Sequence, residues 1–183
     1  PIRNAGSSST LGRLDQHFFP FYARDIKTGA ITQKRAQKLI DELLEKINRI
    51  WTGDGLMTLV VGGLTKDGDD ATNAVSLMFL NAATRLRLVN PQICVRIHSE
   101  TPEYFRDAVT SLQLTPGGAC TILNDEAIIP TLAASGVNQE MARNYCCDGC
   151  NELIYDGESL IVFFAIEAVK CLELTLFNGA ECP

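Results

Sequence analysis

A cysteine-rich segment from residue 145 to residue 152, YCCDGCNE, holds the densest group of reactive side chains in the sequence. If the chain is extended here, Cys150 and Glu152 project to the same side, because alternate residues of an extended backbone share a face. A thiol and a carboxylate that face one cavity can divide hydrogen removal and proton transfer between them. The spacing therefore offers Cys150 and Glu152 as candidate catalytic residues.

Three other interpretations of the same segment stay open. Cys147 and Cys150 form a C-x-x-C pair that suits zinc or an iron-sulfur cluster, with Cys146 beside them, but no second pair follows and the two histidines are remote. A thioredoxin-like redox pair would have to follow a strand and open a helix, whereas this motif is expected to follow a helix. Buried packing is the commonest role of free cysteines, and spacing alone favours it.

Polar residues elsewhere offer weaker candidates. The loop GGLTKDGDD lacks the spacing of a phosphate or calcium loop and is expected to be a strand-to-helix turn. His98 ends a strand with no Cys or Asp near it in sequence, which favours a structural role. Asn124 and Asp125 close the next strand, and the carboxyl ends of parallel strands often line a site.

Composition limits the classes of function. The chain has 183 residues, 46% of them hydrophobic, which suits a globular core. Its 22 acidic and 16 basic residues give a net charge of -6, which disfavours nucleic acid as a partner. The sequence has neither an apolar run long enough to span a membrane nor a signal peptide, so membrane insertion and secretion are disfavoured. Its 7 cysteines, several of them in apolar runs, favour a cytoplasmic location.

The elements that must position these residues alternate between strands and helices. Strands are expected at 56–64, 92–98 and 119–125, and helices follow each of them. A helix capped by Thr32 precedes them, and Thr101 is expected to cap the helix after the second strand. This order predicts an α/β fold with parallel pairing and right-handed crossovers.

The flanking regions carry further expectations. Residues 1–13 are expected to form a loop, and the aromatic cluster around Pro20 a buried turn. Two short helices are expected between residues 126 and 145, followed by a polar connection. A long helix from Ser159 to Phe177 would be apolar on nearly every face, so other protein must enclose it.

Five stretches of the sequence, in order and spacing, resemble the glycyl radical enzymes, the family of pyruvate formate-lyase and the glycerol and diol dehydratases. They are STLGRLDQHFFPFYARDI (9–26), VVGGLTKDGDDATN (60–73), VRIHSETPEYF (95–105), ILNDEAIIPTL (122–132) and GCNE (149–152). The resemblance implies that residues 1–183 are a single segment of a ten-stranded α/β barrel. It also implies that the barrel needs the remainder of the protein around it.

The resemblance assigns roles to individual residues. Cys150 would become a thiyl radical that removes hydrogen from a small polar substrate, and Glu152, in G-C-x-E, would assist proton movement. The G-H-S of diol dehydratases falls on Gly6, Ser7 and Ser8, so Ser7 replaces the histidine that contacts a substrate hydroxyl. That departure puts diol dehydration in doubt, although Ser7 and Ser8 remain candidates for binding a polar or carboxylate group.

The family also implies what the segment works with. No cofactor or metal is expected to bind to it directly. The R-V-x-G-Y loop that stores the glycyl radical is not in the sequence, so that C-terminal domain is expected to be absent and the chain alone inactive. A radical SAM activating enzyme would install the radical, and a homodimer is expected at full length. Dehydration or a related elimination is favoured, with radical decarboxylation or formate-lyase-like C-C cleavage as the alternative within the family.

Two alternatives lie outside radical catalysis. One is a non-catalytic α/β binding module that keeps the scaffold without the radical loop. The other is a small metal-binding protein that uses Cys146, Cys147 and Cys150.

Overall fold

The computed structural model describes residues 9–49, 56–117, 120–149, 151–159 and 167–180. Its strands are β1 (Ser9–Thr10), β2 (Met57–Gly62), β3 (Gln92–Ile97), β4 (Cys120–Asn124), β5 (Tyr145–Asp148) and β6 (Glu152–Tyr155). Its helices are α1 (Leu14–Thr28), α2 (Gln33–Arg49), α3 (Ala74–Leu86), α4 (Glu103–Gln113), α5 (Asp125–Ala134), α6 (Gln139–Arg143) and α7 (Ala168–Leu176).

Strands β1 to β4 form one sheet in sequence order, and every neighbouring pair is parallel. The expected alternation of strand, helix and parallel strand is therefore confirmed. Strands β5 and β6 pair with each other as an antiparallel hairpin in a separate sheet. The hairpin packs on the parallel sheet through contacts between β2 and β5.

The two faces of the parallel sheet bury different partners. Leu59 and Val61 on β2 belong to a core with Phe79 of α3 and Phe105 of α4, and all four side chains are fully buried. Val60 of β2 points to the other face, because successive strand residues alternate. There it packs in a second core with Cys146 and Cys147 of the hairpin. Helices α3 and α4 thus cover one face of the sheet, and the hairpin covers the other together with residues of α5 and α6.

The helix expected after Thr32 is present, and the Thr32 hydroxyl accepts a 3.2 Å hydrogen bond from the Arg35 N-H. The cap expected of Thr101 is wrong. Helix α4 begins at Glu103 behind Pro102, and the Thr101 hydroxyl instead accepts a 2.8 Å hydrogen bond from the His98 N-H. This hydrogen bond stabilises the turn that leaves β3. Pro102 follows with an extended backbone and directly precedes the helix.

The buried turn expected around Pro20 is also wrong, because these residues belong to helix α1. The helix contacts the rest of the chain along one side only. Phe18 stacks on Phe79 with ring centroids 6.4 Å apart, while Phe21 is 59% exposed. The aromatic residues around Pro20 therefore belong to a helix that packs against the rest of the chain, and not to a buried turn.

Both ends of the chain differ from expectation within the described residues. Ser9 and Thr10, expected in a loop, pair with β2 as an edge strand. The expected continuous helix from Ser159 to Phe177 is wrong, because Ser159 and Glu167 are not helical. Helix α7 spans Ala168–Leu176, and residues 160–166 lie outside the described part. Helix α7 buries none of its side chains, and Val169 is 81% exposed. No helix among the described residues is long and apolar enough to cross a membrane.

Candidate active site

The segment expected to be a polar connection is the β5–β6 hairpin, and Gly149 and Asn151 lie at its tip. Strand β5 runs antiparallel to β2 and β3, as its contacts at each end establish. Tyr145, at the base, contacts Arg96 near the end of β3, whereas Gly149, at the tip, contacts Thr58 near the start of β2. The candidate cysteine loop therefore lies over the amino ends of the parallel strands.

A buried arginine anchors the base of this hairpin. Arg96 donates two hydrogen bonds of 2.8 Å to the Asp125 carboxylate, and neither side chain has any exposed surface. Its remaining N-H groups reach the carbonyls of Tyr145 and Arg143, each at 2.9 Å. Because a buried charge needs a partner, this ion pair ties β3 and α5 to the start of the hairpin.

Asp125 and Tyr145 complete the anchor. The Tyr145 hydroxyl donates a 2.7 Å hydrogen bond to Asp125, and the Arg96 guanidinium lies 3.9 Å from the centroid of the Tyr145 ring. Asp125 also accepts a 2.9 Å hydrogen bond from the Leu64 N-H. Burial raises the pKa of Tyr145 above its usual value, so the hydroxyl stays protonated and continues to donate.

Side chains from the amino ends of the strands hold the tip. The Thr58 hydroxyl donates a 3.0 Å hydrogen bond to the Gly149 carbonyl, in a buried position. The Asn151 side-chain oxygen accepts hydrogen bonds from the Gln92 amide at 3.2 Å and from the Cys94 thiol at 3.3 Å. The residues on both sides of position 150 are thus attached to the sheet.

Of the predicted site residues, Glu152 alone lies within the described part of the chain. Its side chain is exposed, and it is the cross-strand partner of Asp148. Directly opposed residues share a face of a hairpin, and this face is opposite to the one on which Cys147 meets the sheet. Cys150, Ser7 and Ser8 lie outside the described residues, so their predicted roles remain predictions.

The other two thiols of the segment are packing residues. Cys146 and Cys147 are buried in the second core, as the packing interpretation expects. Burial raises the pKa of Cys146 to about 12, and a hydrogen bond with the Cys94 thiol, together with burial, raises that of Cys147. Their contacts in this core are those of packing side chains. No group of three or more metal-ligating side chains occurs among the described residues.

The weaker candidates have structural roles. The loop after β2 is a turn into α3, as expected, and its Asp70 lies 3.1 Å from the Nε2 of His98, a carboxylate partner that the sequence did not reveal. Asn124 caps α5 by accepting a 3.0 Å hydrogen bond from the Glu126 N-H. Asn124 and Asp125 lie at the base of the hairpin and away from the loop at its tip. The expectation that these two residues line a site stays a prediction.

Arg13, in the resemblance segment STLGR, ties β1 to the loops around the base. Its guanidinium donates to the carbonyls of Gly62 at 3.1 Å and Leu64 at 2.9 Å, and to the Asn144 side-chain oxygen at 3.3 Å. Burial lowers its pKa to about 10, so it stays charged at neutral pH. Arg13 is thus a buried charge that joins the start of α1 to the loop after β2 and to the base of the hairpin.

Sequence reasoning missed Thr58, Gln92 and Arg96 as parts of the site's support. A signal was present, because each is a polar residue in or at the edge of an apolar run that was expected to be a buried strand. A buried polar side chain requires a partner, and here the partners belong to the hairpin. The sequence could have indicated that these residues needed partners, although not which ones.

The chain matches the family described as "Pyruvate formate lyase-like" over residues 2–182. It is 32% identical to the (2S)-3-sulfopropanediol dehydratase of Klebsiella oxytoca over 170 residues, which cover 86% of this chain and 21% of the relative. The solved structure of a glycyl radical enzyme from Archaeoglobus fulgidus matches with a TM-score of 0.73 and 27% identity, covering 84% of this chain and 22% of that one. The glycerol-bound B12-independent glycerol dehydratase from Clostridium butyricum matches with a TM-score of 0.69 and 36% identity, over 79% of this chain and 20% of that one.

The chain therefore belongs to the pyruvate formate lyase-like family of glycyl radical enzymes, as the resemblance predicted. Its α/β fold, with parallel strands, is a segment of the barrel of that family. The chain spans about a fifth of the length of the relatives that it matches.

Proposed function

We propose that this chain is the catalytic-cysteine segment of a glycyl radical lyase that eliminates water or a related group from a small polar substrate. The observation that carries the proposal is the G-C-x-E sequence at 149–152, whose described residues Gly149 and Asn151 flank the turn of the β5–β6 hairpin and are bonded to the parallel sheet. Relatives named as dehydratases support elimination over decarboxylation. The proposal also includes a small polar molecule as the substrate, a cytoplasmic location and a homodimer of the complete enzyme.

The stored glycyl radical of the complete enzyme would supply the oxidising equivalent that converts the Cys150 thiol to a thiyl. The Cys150 sulfur then takes a hydrogen atom from the substrate carbon that bears a hydroxyl group, so an S-H bond forms and a C-H bond breaks. A hydrogen atom transfer of this kind avoids the charged intermediates that acid and base groups alone would have to stabilise.

Glu152 would accept the hydroxyl proton of the substrate radical. Loss of that proton raises the electron density at the radical carbon, so the neighbouring C-O bond breaks and the hydroxide departs with the bonding pair. The proton leaves with it as water. The product radical then takes the hydrogen atom back from the Cys150 thiol, which restores the thiyl and completes a redox-neutral cycle.

Two structural features support this division of roles. The hairpin tip is held to the sheet on both sides of position 150, as a group that must meet a substrate carbon at close range requires. Glu152 is exposed at the start of β6, next to the hairpin tip, where a substrate can reach its carboxylate. A radical SAM activating enzyme and the remainder of the barrel are the partners that this function implies.

The deciding experiment uses Cys150→Ala in the complete enzyme that contains this segment. We expect the variant to fold and to accept the glycyl radical, measured by electron paramagnetic resonance, while turnover falls to background. Cys171→Ala, which removes an exposed thiol on α7, is the matched control and keeps its activity. Turnover by Cys150→Ala would refute the assignment, and stoichiometric zinc or iron in the purified protein would favour the metal-binding alternative.

A further inference from the structure

The two residues that flank Cys150 are fixed by different parts of the sheet. Gly149 accepts the hydrogen bond from Thr58 through its backbone carbonyl, whereas Asn151 is held through its side-chain oxygen. Both flanking residues adopt positive φ, 45° at Gly149 and 86° at Asn151. Both flanking residues are thus of types that accept the left-handed backbone of this turn.

Asn151 combines two properties that few residues share. Asn tolerates a left-handed backbone better than other non-glycine residues, and its side-chain oxygen has two lone pairs. Both known donors to this oxygen come from β3, since Gln92 begins the strand and Cys94 follows two residues later on the same face. Gln92 is itself oriented by a 2.6 Å hydrogen bond to the hydroxyl of Thr121 on β4.

The Thr58 contact is equally specific. Thr58 is fully buried in a strand whose other side chains are apolar. Its hydroxyl donates its hydrogen bond to the Gly149 carbonyl of the loop. A valine of the same shape would satisfy the strand as well. The hydroxyl is therefore unnecessary for the sheet and is explained by the loop.

We propose that Thr58 and Asn151 are positioning residues that set the place of the Cys150 sulfur, Thr58 from the preceding side and Asn151 from the following side. This inference rests on the proposed function, because it assigns the loop a reacting sulfur. Neither residue touches the reacting atoms. They act by restricting the loop to one conformation, in which the sulfur meets the substrate carbon at short range.

Two conservative variants of the complete enzyme test the proposal. Thr58→Val removes the hydroxyl and keeps the shape and strand preference, and Asn151→Gly keeps the positive φ and removes the amide. Thr110→Val is the matched control, since its hydroxyl also donates to a backbone carbonyl, that of Arg106 at 2.9 Å, but lies on the outer helix α4. All three are compared with wild type for thermal unfolding before any other measurement.

The first readout is the rate at which iodoacetamide alkylates Cys150 in the enzyme before activation, followed by mass spectrometry. We expect Thr58→Val and Asn151→Gly each to raise this rate about five- to tenfold, because the first variant loses one hydrogen bond to the loop and the second loses two. Cys146 and Cys147 lie in the same proteolytic peptide, and their buried thiols should stay unlabelled. The control variant should label at the wild-type rate.

The second readout separates kcat from KM after activation. A displaced sulfur slows hydrogen removal without weakening substrate binding, so kcat should fall about tenfold or more in both variants while KM stays near the wild-type value. Equal falls in kcat at unchanged radical content, measured by electron paramagnetic resonance, would support a positioning role.

Two outcomes would overturn the inference. One is wild-type alkylation of Cys150 and wild-type kcat in both variants. The other is parallel labelling of Cys146 and Cys147, which would show general loosening of the hairpin. Because alkylation is measured without activation, it decides this inference even if the wild-type enzyme shows no radical activity, a result that would contradict the proposed function alone.

Discussion

The Arg96 guanidinium meets the Asp125 carboxylate through two hydrogen bonds of 2.8 Å, and both side chains are withdrawn from solvent. The pair joins the end of β3 to the start of α5. Through the carbonyls of Tyr145 and Arg143 the same guanidinium reaches the base of the hairpin. The loop with Cys150 therefore projects from a base that an ion pair holds to the sheet.

Breaking this pair should be costly. Arg96→Met leaves the Asp125 carboxylate buried without its counter-charge, so we expect the free energy of unfolding of the 183-residue chain to fall by about 3–5 kcal/mol. Urea unfolding followed by circular dichroism measures the change. Arg85→Met is the control, because Arg85 is 54% exposed in its ion pair with Asp41 and should cost at most about 1 kcal/mol. Equal losses in the two variants would contradict the role given to Arg96.

Gly63 lies against the same ion pair. A Cβ at this position would lie 2.5 Å from the Arg96 Nε and 2.8 Å from the Asp125 Oδ2, and the φ of Gly63 is +79°. Gly29 provides the control, with a similar φ of +70° and no neighbouring atom within 4 Å. We expect Gly29→Ala to cost about 1–2 kcal/mol for the left-handed backbone, and Gly63→Ala about 1–3 kcal/mol more for the overlap. The same unfolding experiment would refute the overlap if the two substitutions cost the same.

Alkaline pH should destabilise the fold through its buried thiols. Burial raises the pKa of Cys120 from 9.0 to about 11 and that of Cys146 from 9.0 to about 12. The folded chain thus keeps these protons where the unfolded chain loses them. The stability that they contribute is complete below pH 9 and is lost as the pH rises toward 11 and 12.

The measurement is the free energy of unfolding in urea at several values between about pH 8 and pH 10.5, where each thiol adds a slope of at most about 1.4 kcal/mol per pH unit. Cys120→Ala should make the decline shallower, because it removes one of the thiols whose pKa is raised. Cys171→Ala removes an exposed thiol and should leave the slope unchanged. Identical slopes in all three proteins would show that burial does not govern these protons.

Glu152→Gln in the complete enzyme tests the proton acceptor. The amide cannot accept the substrate hydroxyl proton, so we expect kcat to fall about 10²–10⁴-fold, as for removal of a general base. Hydrogen removal by Cys150 should persist, and deuterium from a labelled substrate should still reach the thiol and exchange with solvent. Glu100→Gln, at another exposed glutamate, is the control. Full activity of Glu152→Gln would remove this residue from the mechanism.

Much of the architecture was readable from the sequence because its signals are local. The continuous apolar run around Leu59 predicts a strand, and the helical spacing of apolar residues after Thr32 predicts a helix. Both elements are present. The alternation of strands and helices predicts parallel pairing, because a helix between two neighbouring strands is the usual crossover connection of a parallel pair. The order of the motifs also identified the family, which the comparisons confirm.

Local signals failed where residue type alone did not determine which partner a side chain or strand would take. Thr101 has the residue type of a cap, yet its hydroxyl bonds to the His98 N-H. The YCCDGCNE segment looked like a polar connection, but pairing of Cys147 with Leu153 and burial against Val60 make it a hairpin. The first outcome is a choice between two local hydrogen bonds, and the second depends on the sheet surface that the segment meets after folding.

The sequence by itself determined the family, the alternation of elements and the choice of Cys150 and Glu152 as candidates, because residue type, spacing and motif order are properties of the chain. The tertiary structure decided what holds the loop. Arg96 and Asp125 are 29 residues apart, and Thr58 and Gly149 are 91 apart. A buried charge or hydroxyl shows in sequence only that it needs a partner, and the packing of the sheet against the hairpin determines which partner it receives.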